Sequence, residues 1–184
     1  MIVNVKDKSI SIGLRIPKKY FIAKGSGESN ITVHAGSYHL ALKNAGIEMC
    51  NIMTYSSIMP KIAQEIKKPK KLVHGCVMET ISAVATSNKG ERATASIIFG
   101  WLYNKKTKEK YGGIVCEYNG MKTAKEAEKE LKQSINELYK IGYSEKFDLK
   151  DMKFITKSFV PKKKYGTAIV ALCFTEHEIP IVKK

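Results

Sequence analysis

Two long runs of strand-forming residues constrain the fold of this chain most. Residues 72–85 and 93–103 are rich in Val, Ile, Ala and Thr, and a third run of this kind covers residues 112–118. Gly90 and the charged residues 104–110 separate the runs, as turns and loops do. Three strands joined by short polar loops predict an antiparallel meander.

An amphipathic helix is predicted over residues 123–139. Thr123 and Glu126 have the spacing of a capping box, which marks a helix start. The apolar residues that follow recur at three- and four-residue intervals and form one stripe: Ala124, Ala127, Leu131, Ile135 and Leu138. We expect this helix to cover a sheet and to carry no chemistry.

The remaining elements are shorter. Strands are predicted over residues 20–23, 49–55, 151–160 and 165–174, a helix over residues 38–44 that Gly46 ends, a loop over residues 25–29, and a turn of helix at the start of residues 58–66. Together these elements predict an α/β (α+β) fold with mixed or antiparallel sheets and helices packed outside them. The length of 184 residues suits one domain, residues 1–184.

The strongly basic composition invites a nucleic-acid interpretation. The net charge is +15, but Arg15 and Arg92 are the only arginines among 32 basic residues. Arginine is the usual residue for bidentate base contacts, so we expect non-specific attraction to polyanions at low salt and no specific nucleic-acid partner. A non-enzymatic polyanion-binding protein remains an alternative, and it predicts tight, sequence-dependent binding at physiological salt.

Targeting and metal signals are absent from the sequence pattern. No run of eighteen apolar residues predicts a membrane span, and residues 1–10 lack the features of a signal peptide, so a cytoplasmic protein is expected. The four cysteines form no C-x-x-C pair and the four histidines do not cluster with them. We therefore expect no metal site.

A serine pair follows the predicted strand 49–55. Ser56 and Ser57 are followed directly by Ile58, Met59 and Pro60. A polar turn is one interpretation of such a pair. The other is chemical: the Ser57 hydroxyl can attack the carbonyl of Ser56, so that the chain cuts itself into residues 1–56 and 57–184. Ser57 then becomes a pyruvoyl group, which is a covalent cofactor.

Several segments together resemble the pyruvoyl-dependent arginine decarboxylases. They extend from about residue 20 to about residue 175 and read KNAGI at 43–47, NIMTYSSIMP at 51–60, HGCV at 74–77, GE at 90–91, GGIVCEYNG at 112–120 and KYGTA at 164–168. The resemblance implies two sheets between outer helix layers and a homotrimer with active sites between neighbouring subunits. It also implies a self-processing enzyme that converts L-arginine to agmatine and carbon dioxide.

The resemblance assigns roles to two residues near the serine pair. Glu117 is implied to be the acid that protonates the α-carbon of the substrate after decarboxylation, so Glu117→Gln is expected to permit self-cleavage and to slow turnover. Asn51 is implied to help hold the cleavage loop or the pyruvoyl site. Without the resemblance, Glu117 reads as an exposed strand-end glutamate and Asn51 as a strand-edge asparagine.

One position departs from the family pattern. The family usually has an aspartate on the helix before the serine strand, where it can pair with a guanidinium group, and His39 stands at that place. A histidine cannot form the bidentate carboxylate pair that a guanidinium favours, and Glu48 is a nearby acid that can supply the charge instead. The alternatives are the same chemistry on ornithine, lysine or another amino acid, and an unprocessed family member without activity.

Overall fold

A computed structural model of the chain describes residues 13–181; the segment 1–10, for which the sequence predicts no signal peptide, lies outside them. The strands are β1 Ile16–Ser29, β2 Asn51–Thr54, β3 Ile58–Pro60, β4 Gln64–Glu65, β5 Val77–Asn88, β6 Ala93–Asn104, β7 Lys110–Gly120, β8 Phe147–Phe159 and β9 Tyr165–Glu178. The helices are a π-helical turn, Val33–Tyr38, then α1 His39–Ala45 and α2 Ala124–Gly142.

The strands form two sheets that pack face to face. One sheet has the order β2-β5-β9-β1-β4 and the other has the order β3-β7-β6-β8. The first is mixed, since β2 and β4 run parallel to their neighbours, and the second is antiparallel. Helix α1 packs on the outer face of the first sheet and α2 on the outer face of the second. This confirms the predicted fold class of two sheets between outer helix layers.

Strand β9 shows how the sequence produces the sandwich. It is the central strand of its sheet, and residues 166–174 are all buried. One side of the strand joins the core between the two sheets, through Val170, Leu172 and Phe174. The other side, with Ile169 and Cys173, packs in the cluster beneath α1. A strand that is covered on both faces therefore reads as one continuous apolar run.

Helix α2 forms as its sequence predicts. The Thr123 side chain accepts a hydrogen bond from the backbone of Glu126, whose carboxylate binds the backbone N–H of Thr123, so both halves of the capping box are present. Ala127, Leu131 and Ile135 are buried against strands β6 and β7. The stripe is shorter than predicted at its C-terminal end, because Leu138 is 40% exposed.

Residues 25–29, predicted as a loop, are the second half of strand β1. The prediction was wrong because these glycines serve helix packing rather than a turn. A β-carbon at Gly25 would lie 2.3 Å from the carbonyl oxygen of Ala41, and one at Gly27 would lie 2.4 Å from the amide nitrogen of Ala41. The glycines allow α1 to pack directly on the strand backbone.

Two further predictions were wrong. Residues 58–66 contain strands β3 and β4 rather than a turn of helix. The predicted meander holds for β6 and β7, but β5 belongs to the other sheet, where it pairs with β9 from Glu79 to Asn88. The four residues 89–92 cross from one sheet to the other, and Gly90, with φ +82°, donates its N–H to Pro161 of the β8–β9 turn. A short polar loop can close a sandwich end as readily as a hairpin.

The connection from β2 to β4 positions the serine pair. These two strands are the opposite edges of the five-stranded sheet, so residues 55–63, here called the crossing segment, traverse that sheet from edge to edge. The segment passes the inner face of that sheet and becomes an edge strand of the other sheet, because β3 pairs with β7 and Met59 is buried in the inter-sheet core. Ser56 and Ser57 therefore lie where the chain enters the space between the sheets.

Within residues 13–181, neither helix has the length and apolar character to cross a membrane.

Candidate active site

The peptide bond between Ser56 and Ser57 lies at the start of the crossing segment. The carbonyl oxygen of Ser56 accepts a hydrogen bond from the Ile58 N–H at 2.8 Å, and the carbonyl oxygen of Ser57 accepts one from the Val115 N–H at 3.1 Å. The second bond extends the pairing of β3 with β7 by one residue. The first bond holds a donor on the carbonyl that the Ser57 hydroxyl would attack, where a negative charge would develop.

The side chain of Ser57 contacts Glu117. Its hydroxyl donates a hydrogen bond to Oε1 of Glu117 at 2.5 Å, in a partly buried environment. Glu117 is on β7, directly opposite Ile97 of β6, and Ile97 belongs to the core between the sheets. Since directly opposed residues in an antiparallel pair share a face, Glu117 points into the same inter-sheet space as the crossing segment. The structure thus brings two of the predicted site residues together.

Asn51 is the first residue of β2 and its side chain is exposed. The side-chain Nδ2 donates a hydrogen bond to the Gly75 carbonyl at 2.9 Å, and the backbone N–H of Asn51 donates to Cys76 at 2.8 Å. Both partners belong to the turn that leads into β5. Asn51 therefore fixes the beginning of the strand that carries the serine pair, and its role beyond this remains a prediction.

His39 and Glu48 lie apart from the serine pair within one chain. His39 is the first residue of α1 and is exposed, and α1 covers the outer face of the five-stranded sheet. Ser57 lies on the opposite, inner side of that sheet, where it contacts Glu117. Glu48 is half-buried in the connection between α1 and β2. The sheet thus separates His39 from Ser57 within one protomer, and the assignment of His39 and Glu48 to substrate binding remains a prediction.

A buried charged cluster was missed by the sequence reasoning. Glu79 is on β5 and only 3% of its side chain is exposed. Its Oε1 accepts a hydrogen bond from the guanidinium group of Arg15, and its Oε2 faces Nε2 of His177. Burial, together with the positive charge of Arg15, lowers the pKa of His177. An acid inside the apolar run VMETISA was the available signal, since charged residues are almost never fully buried without a partner.

An open cleft of about 470 Å³ follows the crossing segment beyond the serine pair. Its lining includes Ile58 and Pro60 on one side, Tyr111 on another, and Ile16 and Glu178 from the adjoining ends of β1 and β9. Neither Ser57 nor Glu117 lines it. The ends of β1 and β9 and the residue that directly follows Ser57 thus line the same cleft.

No metal site accompanies this arrangement in the part of the chain that the structure describes, where no three His, Cys, Asp or Glu residues are grouped closely enough to hold an ion. Cys50 and Cys76 approach to 3.3 Å between their sulfur atoms and both are free thiols. Burial, followed by the contact with Cys76, raises the pKa of Cys50 to about 12, so its thiol stays protonated at neutral pH.

Comparison with known proteins agrees with this geometry. Residues 19–179 match the pyruvoyl-dependent arginine decarboxylase family. A pyruvoyl-dependent arginine decarboxylase from Pyrococcus abyssi is 26% identical over 159 residues, which are 85% of this chain and 94% of that protein. Another from Methanocaldococcus jannaschii is 28% identical over 141 residues, 77% of this chain and 79% of that protein. A third, from Methanococcoides burtonii, is 35% identical over 86 residues, 45% of this chain and 47% of that protein. The resemblance inferred from the sequence is confirmed, and the chain belongs to the pyruvoyl-dependent arginine decarboxylase family.

Proposed function

We propose that this chain is a self-processing decarboxylase, which forms a pyruvoyl group from Ser57 and converts L-arginine to agmatine and carbon dioxide. The observation that carries the proposal is the hydrogen bond of 2.5 Å from the Ser57 hydroxyl to the Glu117 carboxylate. It pairs a nucleophile with a base at the peptide bond to be cut, as nucleophilic catalysis requires. The family assignment supports both the cofactor and the substrate.

Self-cleavage follows from groups that are already in contact. The Ser57 oxygen attacks the carbonyl carbon of Ser56 while Glu117 accepts the hydroxyl proton, and the Ile58 N–H stabilises the charge on the carbonyl oxygen. Collapse breaks the C–N bond as the Ser57 nitrogen takes up the proton held by Glu117. A free amine on Ser57 and an ester between Ser56 and the Ser57 oxygen result. Loss of the α-proton of Ser57 then expels residues 1–56 as a carboxylate. Water converts the resulting dehydroalanine to a ketone and releases ammonia, which leaves residues 57–184 blocked at their first residue.

These residues fit a pyruvoyl group at position 57, because the serine, the preceding carbonyl and a proton acceptor occur together there. When formed, the group supplies a carbonyl that serves as an electron sink for decarboxylation. Glu117 faces that position and, once protonated, can donate a proton to the substrate α-carbon.

The expected assembly is a homotrimer of cleaved protomers in the cytoplasm, with active sites between subunits. Two observations support an interfacial site. His39 and Ser57 are on opposite faces of one sheet, so they can meet only if different protomers supply them. Ile58 and Tyr111, which line the cleft beyond the serine pair, are 59% and 60% exposed, and exposed apolar side chains beside a site mark an interaction surface. Sedimentation of the cleaved protein tests the trimer.

The decisive experiment combines intact mass spectrometry under denaturing conditions with a substrate panel. We expect two chains that separate between Ser56 and Ser57, the larger one blocked by a ketone, and release of carbon dioxide from arginine. Ornithine and lysine test the alternative that His39 motivates, which is the same chemistry on another amino acid. A chain that stays uncut and inactive after prolonged incubation would contradict the proposal.

A further inference from the structure

We propose that Glu79 is the carboxylate that binds the guanidinium group of the substrate, and that Arg15 of the same chain occupies it while the site is empty. The inference rests on the proposed function, because it assigns the substrate's charged end to a residue of that site. It adds to the site a buried acid that neither the sequence pattern nor the Ser57–Glu117 pair had indicated.

The first argument is the path of the crossing segment. It leaves β2 at Tyr55, whose N–H binds the carbonyl of Thr80 on β5, and it reaches β4 at Gln64, which pairs with Lys19 near the start of β1. The strand order β2-β5-β9-β1-β4 requires that the segment pass β5, β9 and β1 in turn. It therefore runs over one end of the sheet, at the level of residue 80 on β5 and residue 19 on β1.

The charged cluster comes from the same three strands at the same end. Glu79 precedes Thr80 on β5, His177 is near the end of β9, and Arg15 directly precedes β1. Glu79 also points to the inner face, because it is paired with Phe174, an inter-sheet core residue. The cluster and the crossing segment that carries Ser57 thus share one face and one end of the sheet.

The second argument is that the carboxylate already holds a guanidinium. The partner of Glu79 is an arginine side chain, and planar guanidinium groups match carboxylates with two parallel hydrogen bonds. Arg15 uses only Oε1. Within residues 13–181, Glu79 Oε2 and the His177 Nε2 that faces it have no hydrogen-bond partner of acceptable geometry, although both atoms are buried. In this part of the chain Oε2 therefore contacts only the His177 ring, and a carboxylate oxygen can accept a second hydrogen bond.

The third argument is the difference in exposure within the pair. The side chain of Arg15 is 52% exposed, whereas that of Glu79 is 3% exposed. A half-exposed arginine can return to water at low cost, while a buried carboxylate that loses its partner pays the full cost of an unpaired buried charge. His177 does not replace the missing charge, since its burial favours the neutral imidazole. Glu79 thus requires a cation, and a substrate guanidinium can take the place of Arg15.

Occupation by Arg15 makes it an internal competitor. For a ligand that must displace Arg15, the apparent association constant is the intrinsic one multiplied by the fraction of molecules in which Glu79 is free. Removal of Arg15 should therefore strengthen the binding of guanidinium ligands, whereas loss of an ordinary binding residue weakens it. This opposite sign distinguishes displacement from a purely structural ion pair.

The test is calorimetric binding of agmatine and of N-carbamoylputrescine to the purified wild-type protein and to variants; in the second ligand a neutral urea replaces the guanidinium group and the primary ammonium group is kept. We expect Arg15→Ala to bind agmatine several-fold more tightly, and Glu79→Gln to lose about tenfold or more in agmatine affinity and all preference over the urea analogue. Glu176→Gln, which removes an exposed acid from the same end of β9, should match wild type. Unchanged or weaker agmatine binding by Arg15→Ala would overturn the proposal, as would a Glu79→Gln protein that keeps its preference.

Two features keep this test separate from the proposed function. Arg15→Ala alters a half-exposed side chain, so it decides the question even if Glu79→Gln fails to fold. Binding is also measured without turnover. A protein that does not decarboxylate arginine but shows the expected binding pattern would retain the guanidinium site and lose the proposed function. Arginine turnover together with agmatine binding that neither variant changes would retain the proposed function and exclude the guanidinium site.

Discussion

The hydroxyl of Ser57 donates a hydrogen bond of 2.5 Å to the carboxylate of Glu117, which lies 60 residues further along the chain. Backbone pairing holds this contact: Ile58 is opposite Ile114, and the Val115 N–H binds the Ser57 carbonyl. The pair therefore depends on the short strand β3 joining the second sheet. A reactive serine that is fixed by a strand on each side is preorganised for attack on its own peptide bond.

Removal of the Ser57 hydroxyl should leave the chain whole. Ser57→Ala has no nucleophile at the scissile bond and no precursor of the pyruvoyl group, so we expect a single species of 20.6 kDa and no carbon dioxide from arginine. Ser56→Ala is the matched control, since Ser56 contributes only its backbone carbonyl, and it should still be cut. Decarboxylation by an uncut Ser57→Ala protein would refute the assignment.

Replacement of Glu117 should slow two reactions. From the sequence alone, Glu117→Gln is expected to permit cleavage and to slow turnover. The hydrogen bond from Ser57 to Glu117 predicts in addition that cleavage itself is slower, because glutamine can accept the hydrogen bond but cannot take the proton. General acid–base catalysis typically contributes about 10²- to 10⁴-fold, which sets the expected loss in each rate.

The time course of intact mass measures the cleavage of Glu117→Gln. Carbon dioxide release, recorded after cleavage is complete, measures its turnover. Glu109→Gln, at an exposed position in the loop before β7, serves as the control and should behave as wild type. Cleavage at the wild-type rate in Glu117→Gln would show that another group accepts the Ser57 proton.

A β-carbon at Gly27 should destabilise the protein. It would meet the backbone of α1 at 2.4 Å, and a helix backbone cannot yield as a flexible side chain can. Overpacking of this kind costs about 1–3 kcal/mol, so Gly27→Ala should shift urea unfolding to lower concentrations or prevent folding. Gly142→Ala, where a β-carbon meets nothing within 4 Å, should leave stability unchanged or slightly raised. Equal stability of the two variants would contradict the packing argument.

The sequence predicted elements well where the pattern was local. The capping box at Thr123 and the stripe that includes Leu131 define α2 without reference to the rest of the chain. Partner choice was not local: β5 pairs with β9 through residues 77 to 95 positions apart, and no pattern within β5 specifies that neighbour. Gly25 and Gly27 were misread because glycine composition is the same in a loop and beneath a closely packed helix.

The same distinction applies to the candidate site. Ser57 and Glu117 came from two short motifs of the family resemblance, and the fold brings these two side chains into contact. Glu79 was not found, because its role depends on Arg15, which is 64 residues away in the sequence. It also depends on the crossing segment, which passes over β5 and β1. A charged residue in an apolar run shows that a partner exists but does not identify it.

Stability should decline at alkaline pH because of Cys173. This thiol is fully buried and its pKa is raised from 9.0 to about 12, chiefly by burial. Above pH 9.0 the unfolded chain loses this proton while the native state keeps it, so the unfolded state is favoured increasingly as pH rises. A single such group lowers the free energy of unfolding by about 1.4 kcal/mol per pH unit over that window.

Other tyrosines, lysines and thiols also titrate in this range, so the informative quantity is the difference between two proteins. Urea unfolding of wild type and Cys173→Ala from about pH 8 to pH 10.5 supplies it. The variant should be less stable at pH 8, because it leaves a cavity, and its stability should fall less steeply above pH 9.0. Parallel curves would mean that the Cys173 thiol ionises as readily in the folded protein as in the unfolded chain, and that its burial does not resist charging.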